Sequence, residues 1–336
     1  MFYDDIDALG TYIDECLARY PDNTFLCELD EDEVTASVTY REAKERIDGI
    51  KNILRENGIR PGDKISLLGQ NSINWGLMYM AVVTYGAIIV PILHEFDSTS
   101  VSNIINMSDS RMLFISSSLL EKIESAELKK VEKVYMLDDF KELELEKISL
   151  IRSQIKNRLY DFKDWASQFL SEHVYRAAAG TKREYIPEAD DIAAIVYTSG
   201  TTGKSKGVML THRNIYWNIL AALDYIEING NDKFLSVLPS AHVYECTFTL
   251  LLSMVGGASV YYLKQKPSPK VLLKAFEKVK PSMVMMVPLV MEKIYKKNIL
   301  PKFEGNSILR GATKITPLRR FLYKKASDAL LEALGG

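Results

Sequence analysis

The chain has 336 residues, of which 47% are hydrophobic and 26% are charged, and its formal net charge is −2. This composition is typical of a globular protein, and the length indicates two domain-sized units. A near-neutral charge without a basic cluster argues against nucleic acid as a main partner. The cysteines, Cys16, Cys27 and Cys246, are odd in number and widely spaced, which argues against a disulfide framework and a zinc site and fits a reducing compartment.

Helical and extended segments alternate along the chain. The hydrophobic periodicity predicts helices at residues 6–19, 41–57, 72–84, 100–108, 213–224 and 269–279. Strand-like runs occupy residues 64–68, 87–92, 112–115, 133–136, 192–196, 233–237, 258–262 and 283–287. This alternation predicts an α/β fold with mainly parallel sheets covered by helices on both faces. The strands are too numerous for one sheet, so we expect two.

Residues 75–93 contain no charged side chain across 19 positions, which is close to the length of a membrane-spanning helix. Gly86 and Pro91 interrupt this stretch, and a core helix followed by a buried parallel strand has the same composition. We therefore favour a buried helix and strand.

The acidic N-terminus lacks the basic segment of a signal peptide, so we expect a cytoplasmic protein. Residues 141–183 are charged and weakly apolar, and they predict a linker or insertion to which we assign no function.

The most informative segment, residues 197–214, reads YTSGTTGKSKGVMLTHRN and follows an apolar strand-like run. Glycine, here Gly200, Gly203 and Gly207, lets the backbone turn sharply with positive φ and approach a ligand closely. Hydroxyl and backbone N–H groups donate hydrogen bonds, and lysine supplies positive charge. Such a concentration of these groups indicates a phosphate-binding loop rather than a solvated turn. The predicted ligand-binding residues are Thr198, Ser199, Gly200, Thr201, Thr202, Gly203, Lys204 and Lys206.

A Walker A loop is the main competing interpretation. Gly203-Lys204-Ser205 matches its end, but its first glycine would fall at Thr198. The helix that directly follows a Walker A loop is also missing from the pattern, since residues 207–210 read as a short strand and Thr211 as the N-cap of the next helix. We therefore predict a hairpin with the loop at its tip. An unrelated P-loop NTPase stays open as an alternative that Thr198 disfavours.

Residues 197–208 resemble the signature loop YTSGTTGxPKGV of the adenylate-forming superfamily, which includes AMP-binding acyl-CoA synthetases, luciferases and peptide-synthetase adenylation domains. Ser205 stands where that pattern has proline, which loosens the loop but leaves Lys206 in place. Residues 238–245 (LPSAHVYE) and 288–295 (PLVMEKIY) resemble motifs of the long-chain fatty acyl-CoA synthetases. Weaker resemblances cover residues 39–42, 58–68 and 85–92.

The resemblance implies the N-terminal domain of such an enzyme, built from two stacked flavodoxin-like sub-lobes. Residues 66–225 would form one sub-lobe, and residues 1–65 together with 226–336 would form the other. The signature loop would then lie near the crevice between them, where open α/β sheets commonly bind ligands.

Four histidines occur, at positions 94, 173, 212 and 242, and we expect a structural or surface role for the first three. His242 is the exception, because a helix that starts after Pro239 points its first turn toward the crevice. By resemblance, His242 would orient the substrate carboxylate beside the α-phosphate, and Lys206 would contact the phosphates. These two are the predicted catalytic residues. By resemblance, Cys246, Thr247 and Leu250 would face the acyl chain, although a core helix explains them equally well. Residues 283–286 with Val287 and Pro288 could form an adaptable apolar wall for a fatty chain, but a buried strand explains them better.

The resemblance implies an AMP-forming ligase that activates a long-chain fatty acid with ATP and Mg²⁺ and transfers the acyl group to coenzyme A. Family segments that hold adenine, ribose and the metal do not occur in the sequence, which ends at Gly336 where a family strand would begin. We therefore expect a truncated enzyme that is inactive alone, with no metal ligand among these residues. A non-catalytic nucleotide-binding or scaffold protein is the alternative. Peripheral membrane association at the inner face and a homodimer stay open.

Overall fold

The computed structural model describes residues 8–31, 33–124, 126–144, 185–198 and 205–294, together with Lys296 and Lys324. Its helices are α1 (Leu9–Arg19), α2 (Tyr40–Glu56), α3 (Ile73–Tyr85), α4 (Ser98–Ser108), α5 (His212–Leu223), α6 (Val243–Glu245), α7 (Pro269–Val279) and α8 (Pro288–Ile294). Its strands are β1 (Thr24–Asp30), β2 (Glu33–Thr39), β3 (Lys64–Leu68), β4 (Ile88–Ile92), β5 (Met112–Ile115), β6 (Lys133–Met136), β7 (Glu142–Leu143), β8 (Ile192–Thr198), β9 (Lys206–Thr211), β10 (Lys233–Ser236), β11 (Ser259–Leu263) and β12 (Met283–Val284).

The strands form two sheets. The seven-stranded sheet has the order β7-β6-β5-β3-β4-β8-β9, and its five central strands run parallel while β7 and β9 pair antiparallel at the edges. The five-stranded sheet has the order β12-β10-β11-β1-β2, with only the β1–β2 pair antiparallel. The predicted α/β fold with two mainly parallel sheets is therefore confirmed. The sub-lobe boundaries stay a prediction.

One apolar core, which we call the central core, contains residues from both sheets. It includes Phe25 and Val260 of the five-stranded sheet and Ile65 and Ile89 of the seven-stranded sheet. Helix α3 lies within it, and every residue from Ile73 to Thr84 is buried. A helix that is apolar on all sides is expected where protein surrounds it completely. This explains the uncharged stretch at 75–93, and among the described residues no helix is long and apolar enough to cross a bilayer.

Local signals set the ends of the helices. The side chain of Thr39 accepts a hydrogen bond from the N–H of Glu42, and Glu42 accepts one in return from the N–H of Thr39, so α2 begins with a capping box. Helix α3 starts after the cap Ser72 and ends at Gly86, whose φ of 84° is accessible mainly to glycine.

The six predicted helices are confirmed with ends that differ by a few residues, and the predicted strand at 283–287 is shorter, ending at Val284. The β1–β2 hairpin was not predicted. Most of the linker predicted at 141–183 lies outside the described residues, which include only its start, with β7.

Candidate functional site

The hairpin predicted around the signature loop is present. Strands β8 and β9 pair antiparallel, and Thr198 lies opposite Lys206 as the last pair before the connecting loop. Thr211 caps α5 through a capping box with Asn214, as its sequence position predicts. The Walker A interpretation is wrong, because a strand begins at Lys206 where that loop would continue into a helix.

The alternation of side chains fixes the face from which Lys206 and Thr198 project. Directly opposed residues of an antiparallel pair lie on one face, together with residues two and four positions along each strand. Val196 and Leu210 share this face and pack against the central core. Tyr197 belongs to a second core on the opposite face. Lys206 and Thr198 therefore lie on the side of the hairpin that faces the central core, and both are exposed.

The remaining predicted loop residues, Ser199, Gly200, Thr201, Thr202, Gly203 and Lys204, lie outside the described residues. Gly207 corrects one expectation. It is not among the glycines with positive φ, so a sharp turn does not require it. Instead, a Cβ added there would lie 3.1 Å from the Tyr197 ring, so Gly207 allows close packing across the hairpin.

His242 lies beyond the carboxyl end of β10, a strand of the five-stranded sheet. It is the exposed N-cap residue of α6, and its own N–H donates to the carbonyl oxygen of Pro239 at 2.9 Å. We call residues 236–242 the His242 loop. The helix prediction after Pro239 is confirmed, although α6 starts at Val243 and continues as a π-helical turn over Cys246–Leu251. Turns of this type are frequent at functional sites.

A buried carboxyl group follows His242 by one turn. Glu245 is 1% exposed and accepts a hydrogen bond of 2.7 Å from the hydroxyl of Ser236. Burial raises the pKa of Glu245 to about 8, while Ser236, Thr249 and the N–H groups of Val237 and Leu238 act in the opposite direction. Glu245 is therefore largely protonated near neutral pH.

A second histidine, His94, is close enough to His242 to interact with it electrostatically, and the structural or surface role expected for it stays a prediction. His94 follows the end of β4 and is partly buried, with its Nδ1 atom lacking a hydrogen-bond partner. Burial is the main cause that lowers the pKa of His94; Glu95 raises it, and electrostatic interactions with Lys122, Lys266 and His242 lower it further.

The sequence model of the AMP-binding enzyme family matches residues 13–330. The chain belongs to this family. Among its curated relatives, long chain acyl-CoA synthetase 2 of Arabidopsis thaliana is 25% identical over 361 aligned residues, which cover 99% of this chain and 52% of the relative. Fatty acyl-CoA synthetase B of Dictyostelium discoideum is 27% identical over 81% of this chain and 39% of the relative. The chain thus spans about half, or less, of the length of these relatives.

Solved structures of AMP-binding enzymes share the fold. The inhibitor-bound N-terminal domain of FACL13 from Mycobacterium tuberculosis has a TM-score of 0.68 and 19% identity, covering 87% of this chain and 66% of that one. The N-terminal subdomain of NpsA from Klebsiella oxytoca, in complex with 3-hydroxybenzoyl-AMSN, has a TM-score of 0.66 and 18% identity, covering 89% of this chain and 65% of that one. At this level of identity the matches establish the fold alone.

The apolar residues considered for the acyl chain of an AMP-binding enzyme have different surroundings. Cys246 and Leu250 are buried in the central core, so the core interpretation holds for them. Val243 and Tyr244 are exposed beside His242, and the Tyr244 hydroxyl contacts the Met285 sulfur at 3.5 Å. The apolar surface next to His242 thus comes from the first turn of α6 and from Met285.

A polar cavity of about 230 Å³ lies between the two sheets. Its walls include Glu28 of β1, Lys264 directly after β11 and Asp138 after β6, and neither Lys206 nor His242 lines it. Over the described part of the chain, no group of His, Cys, Asp and Glu side chains is arranged to hold a metal ion.

Proposed function

We propose that the chain supplies the phosphate-binding hairpin and the carboxylate-orienting residue of an AMP-forming long-chain fatty acyl-CoA ligase. The observation that carries this proposal is the pairing of Thr198 with Lys206 at the hairpin tip, on the face turned toward the central core. An ammonium group and a hydroxyl group are both hydrogen-bond donors, and together they suit phosphate oxygens. The predicted residues 199–204 would add further donors between these two ends.

The reaction needs a carboxylate brought in line with the α-phosphate of ATP. The carboxylate oxygen attacks phosphorus, pyrophosphate leaves, and the acyl adenylate forms; a thiol then attacks the acyl carbon and AMP leaves. Positioning and charge neutralisation dominate the first step. We assign charge neutralisation to Lys206 and orientation of the carboxylate to His242. The described residues offer no cluster that fits Mg²⁺, so we assign them no metal-dependent step.

A long-chain fatty acid is the proposed substrate. Curated relatives are long-chain acyl-CoA synthetases by name. Exposed Val243 and Tyr244 directly follow His242, so an acyl chain attached to the oriented carboxylate would meet apolar surface. Coenzyme A is the proposed acceptor thiol. One relative, AEE15 of Arabidopsis thaliana, is instead named as a long-chain-fatty-acid–[acyl-carrier-protein] ligase. The identity of the acceptor thiol therefore has to be tested as well.

Pyrophosphate exchange tests the proposal. The complete gene product should exchange labelled pyrophosphate into ATP when palmitate is present and should form palmitoyl-CoA when coenzyme A is added. ATP binding without exchange, over a series of fatty acids from eight to eighteen carbons, would favour the non-catalytic nucleotide-binding alternative. We also propose that residues 1–336 alone do not turn over, because the family segments for adenine, ribose and metal are not in this sequence.

Membrane association and a homodimer stay predictions. Flotation of the complete gene product with anionic vesicles tests the first, and analytical ultracentrifugation tests the second.

A further inference from the structure

We propose that Asn71 is a positioning residue that holds the His242 loop against the seven-stranded sheet and so sets where His242 stands relative to the hairpin tip. This inference rests on the proposed function, because it concerns the orientation of the carboxylate by His242. Asn71 follows β3, which is part of the sheet that contains the hairpin, whereas the His242 loop follows β10 of the other sheet.

The Asn71 side chain makes three hydrogen bonds to the loop. Its Nδ2 atom donates to the carbonyl oxygen of Leu238 at 2.6 Å and to the hydroxyl oxygen of Ser236 at 2.9 Å. Its Oδ1 atom accepts from the N–H of Ser240 at 2.7 Å. Both ends of the amide are thus used, and the two main-chain contacts lie on either side of Pro239.

These contacts bear directly on His242. Its N–H donates to the carbonyl oxygen of Pro239, which lies between the two residues whose main chain Asn71 holds. Pro239 has no N–H group, so one fewer main-chain donor is available to form hydrogen bonds within the turn. A side chain from the other sheet therefore replaces part of the local hydrogen bonding that would otherwise define the loop.

The same network continues past His242. Ser236 accepts from Asn71 and donates to Glu245, so the residues before and after His242 are tied to one side chain. Asn71 itself precedes Ser72, the N-cap of the fully buried helix α3. His242 is exposed and lies at the end of a loop, but the residues on both sides of it are fixed by these hydrogen bonds. Reacting groups need this, because a misplacement of about 1 Å can lower a rate by about 10²-fold.

The test compares Asn71→Ala and Asn71→Asp with Asn57→Ala in the complete gene product. Asn57 is a matched control, since it is also partly buried and its Nδ2 donates two hydrogen bonds, to Ile53 O at 2.8 Å and Tyr135 Oη at 2.9 Å. Asn71→Asp keeps the size and the acceptor for Ser240 but turns a carboxylate oxygen toward the Leu238 carbonyl, which repels it. Thermal unfolding of all three variants checks that they are folded.

Two measurements separate positioning from general stability. The first is the kcat and the ATP KM of palmitate-dependent pyrophosphate exchange. We expect both Asn71 variants to lose kcat by tenfold or more with the ATP KM within twofold, since the hairpin is untouched, and Asn57→Ala to change neither. The second is the NMR signal of the His242 imidazole, assigned with His242→Gln. It should shift or broaden in both Asn71 variants and stay unchanged in Asn57→Ala.

The outcomes distinguish this inference from the proposed function. An unchanged His242 signal and unchanged kcat in both Asn71 variants would overturn the inference, as would an equal loss of kcat in Asn57→Ala. If His242→Ala leaves exchange intact, the proposed role of His242 fails. If the His242 signal still shifts in the Asn71 variants, Asn71 positions the His242 loop even though His242 has no role in the reaction.

Discussion

Ser236 donates a hydrogen bond of 2.7 Å to Glu245, and this contact ties a buried carboxyl group to the strand end from which the His242 loop departs. Because burial raises the pKa of Glu245 to about 8 from an ordinary value of 4.5, the folded protein holds this proton over a pH range in which the unfolded chain releases it. The carboxyl group is therefore compatible with the core at neutral pH and unfavourable there in alkali.

We predict that Glu245→Gln becomes more stable relative to the natural protein as pH rises. Because the pKa of Glu245 is raised in the folded protein, the free energy of unfolding of the natural protein decreases between pH 4.5 and about 8, by about 1.4 kcal/mol per pH unit. The decrease levels off above that range. Urea unfolding of both proteins from pH 5 to 9 measures this. Neighbouring Tyr262 and Cys246 do not titrate in this window, because burial raises both of their pKa values. A stability difference that does not vary with pH would contradict the prediction.

A second pH dependence is expected at His212. This side chain is fully buried, its Nδ1 atom accepts a hydrogen bond of 3.3 Å from the N–H of Gly10, and burial lowers its pKa to about 4 against the attraction of Asp191. Because the pKa of His212 is lowered in the folded protein, its contribution to the free energy of unfolding is fully present above pH 6.5. This contribution is lost as the pH falls toward 4, by about 3 kcal/mol in total. His212→Asn, whose amide oxygen can replace Nδ1, should lose less stability than the natural protein between pH 7 and 4.5 in urea unfolding. Equal losses in the two proteins would show that other groups cause the acid sensitivity.

The sequence predicted the parallel strands of the seven-stranded sheet well. Strands such as β5 and β6 are short apolar runs between polar turns, and burial on both faces produces that composition directly. Strand β2 was missed although its residues alternate between polar and apolar, because it is largely exposed and only Val38 is buried. In the folded protein it pairs antiparallel with β1 at the edge of the five-stranded sheet.

The candidate site divides in the same way. The hairpin and the helix after His242 were predicted because each is encoded within one short segment, residues 197–214 and residues 238–245. The role of His242 stays a prediction. Asn71 was not predicted, since its partners Ser236, Leu238 and Ser240 lie 165, 167 and 169 residues away. The raised pKa of Glu245 depends on burial in the folded state, which no local pattern reports.

Gly86 provides a test of the fold at the end of α3. Its φ of 84° disfavours any residue with a Cβ, and an added Cβ would lie 2.5 Å from the Tyr185 ring. Gly62 has a nearly equal φ of 83° with no atom within 4 Å of an added Cβ, so Gly62→Ala is the matched control. We expect Gly62→Ala to cost roughly 1–2 kcal/mol of unfolding free energy and Gly86→Ala to cost more, because Tyr185 must also move. Chemical denaturation measures the free energy of unfolding of both variants. Equal losses would show that the Tyr185 side chain moves away at no energetic cost.

The two lysines of the signature loop are expected to differ in importance. Lys206 matches the lysine of the family pattern, pairs with Thr198 at the hairpin tip and lies on the face turned toward the central core, whereas Lys204 occupies a position that the pattern leaves variable. Removing a charge directed at the phosphates removes transition-state stabilisation, so Lys206→Ala should lower pyrophosphate exchange by ~10²-fold or more. Lys204→Ala, the matched control with the same loss of charge, should lower it far less. The measurement requires saturating palmitate and a range of ATP concentrations, so that weaker ATP binding is separated from slower chemistry. Equal losses in the two variants would mean that the general positive charge of the loop matters rather than one directed ammonium group, and a larger loss in Lys204→Ala would transfer the catalytic assignment to that residue.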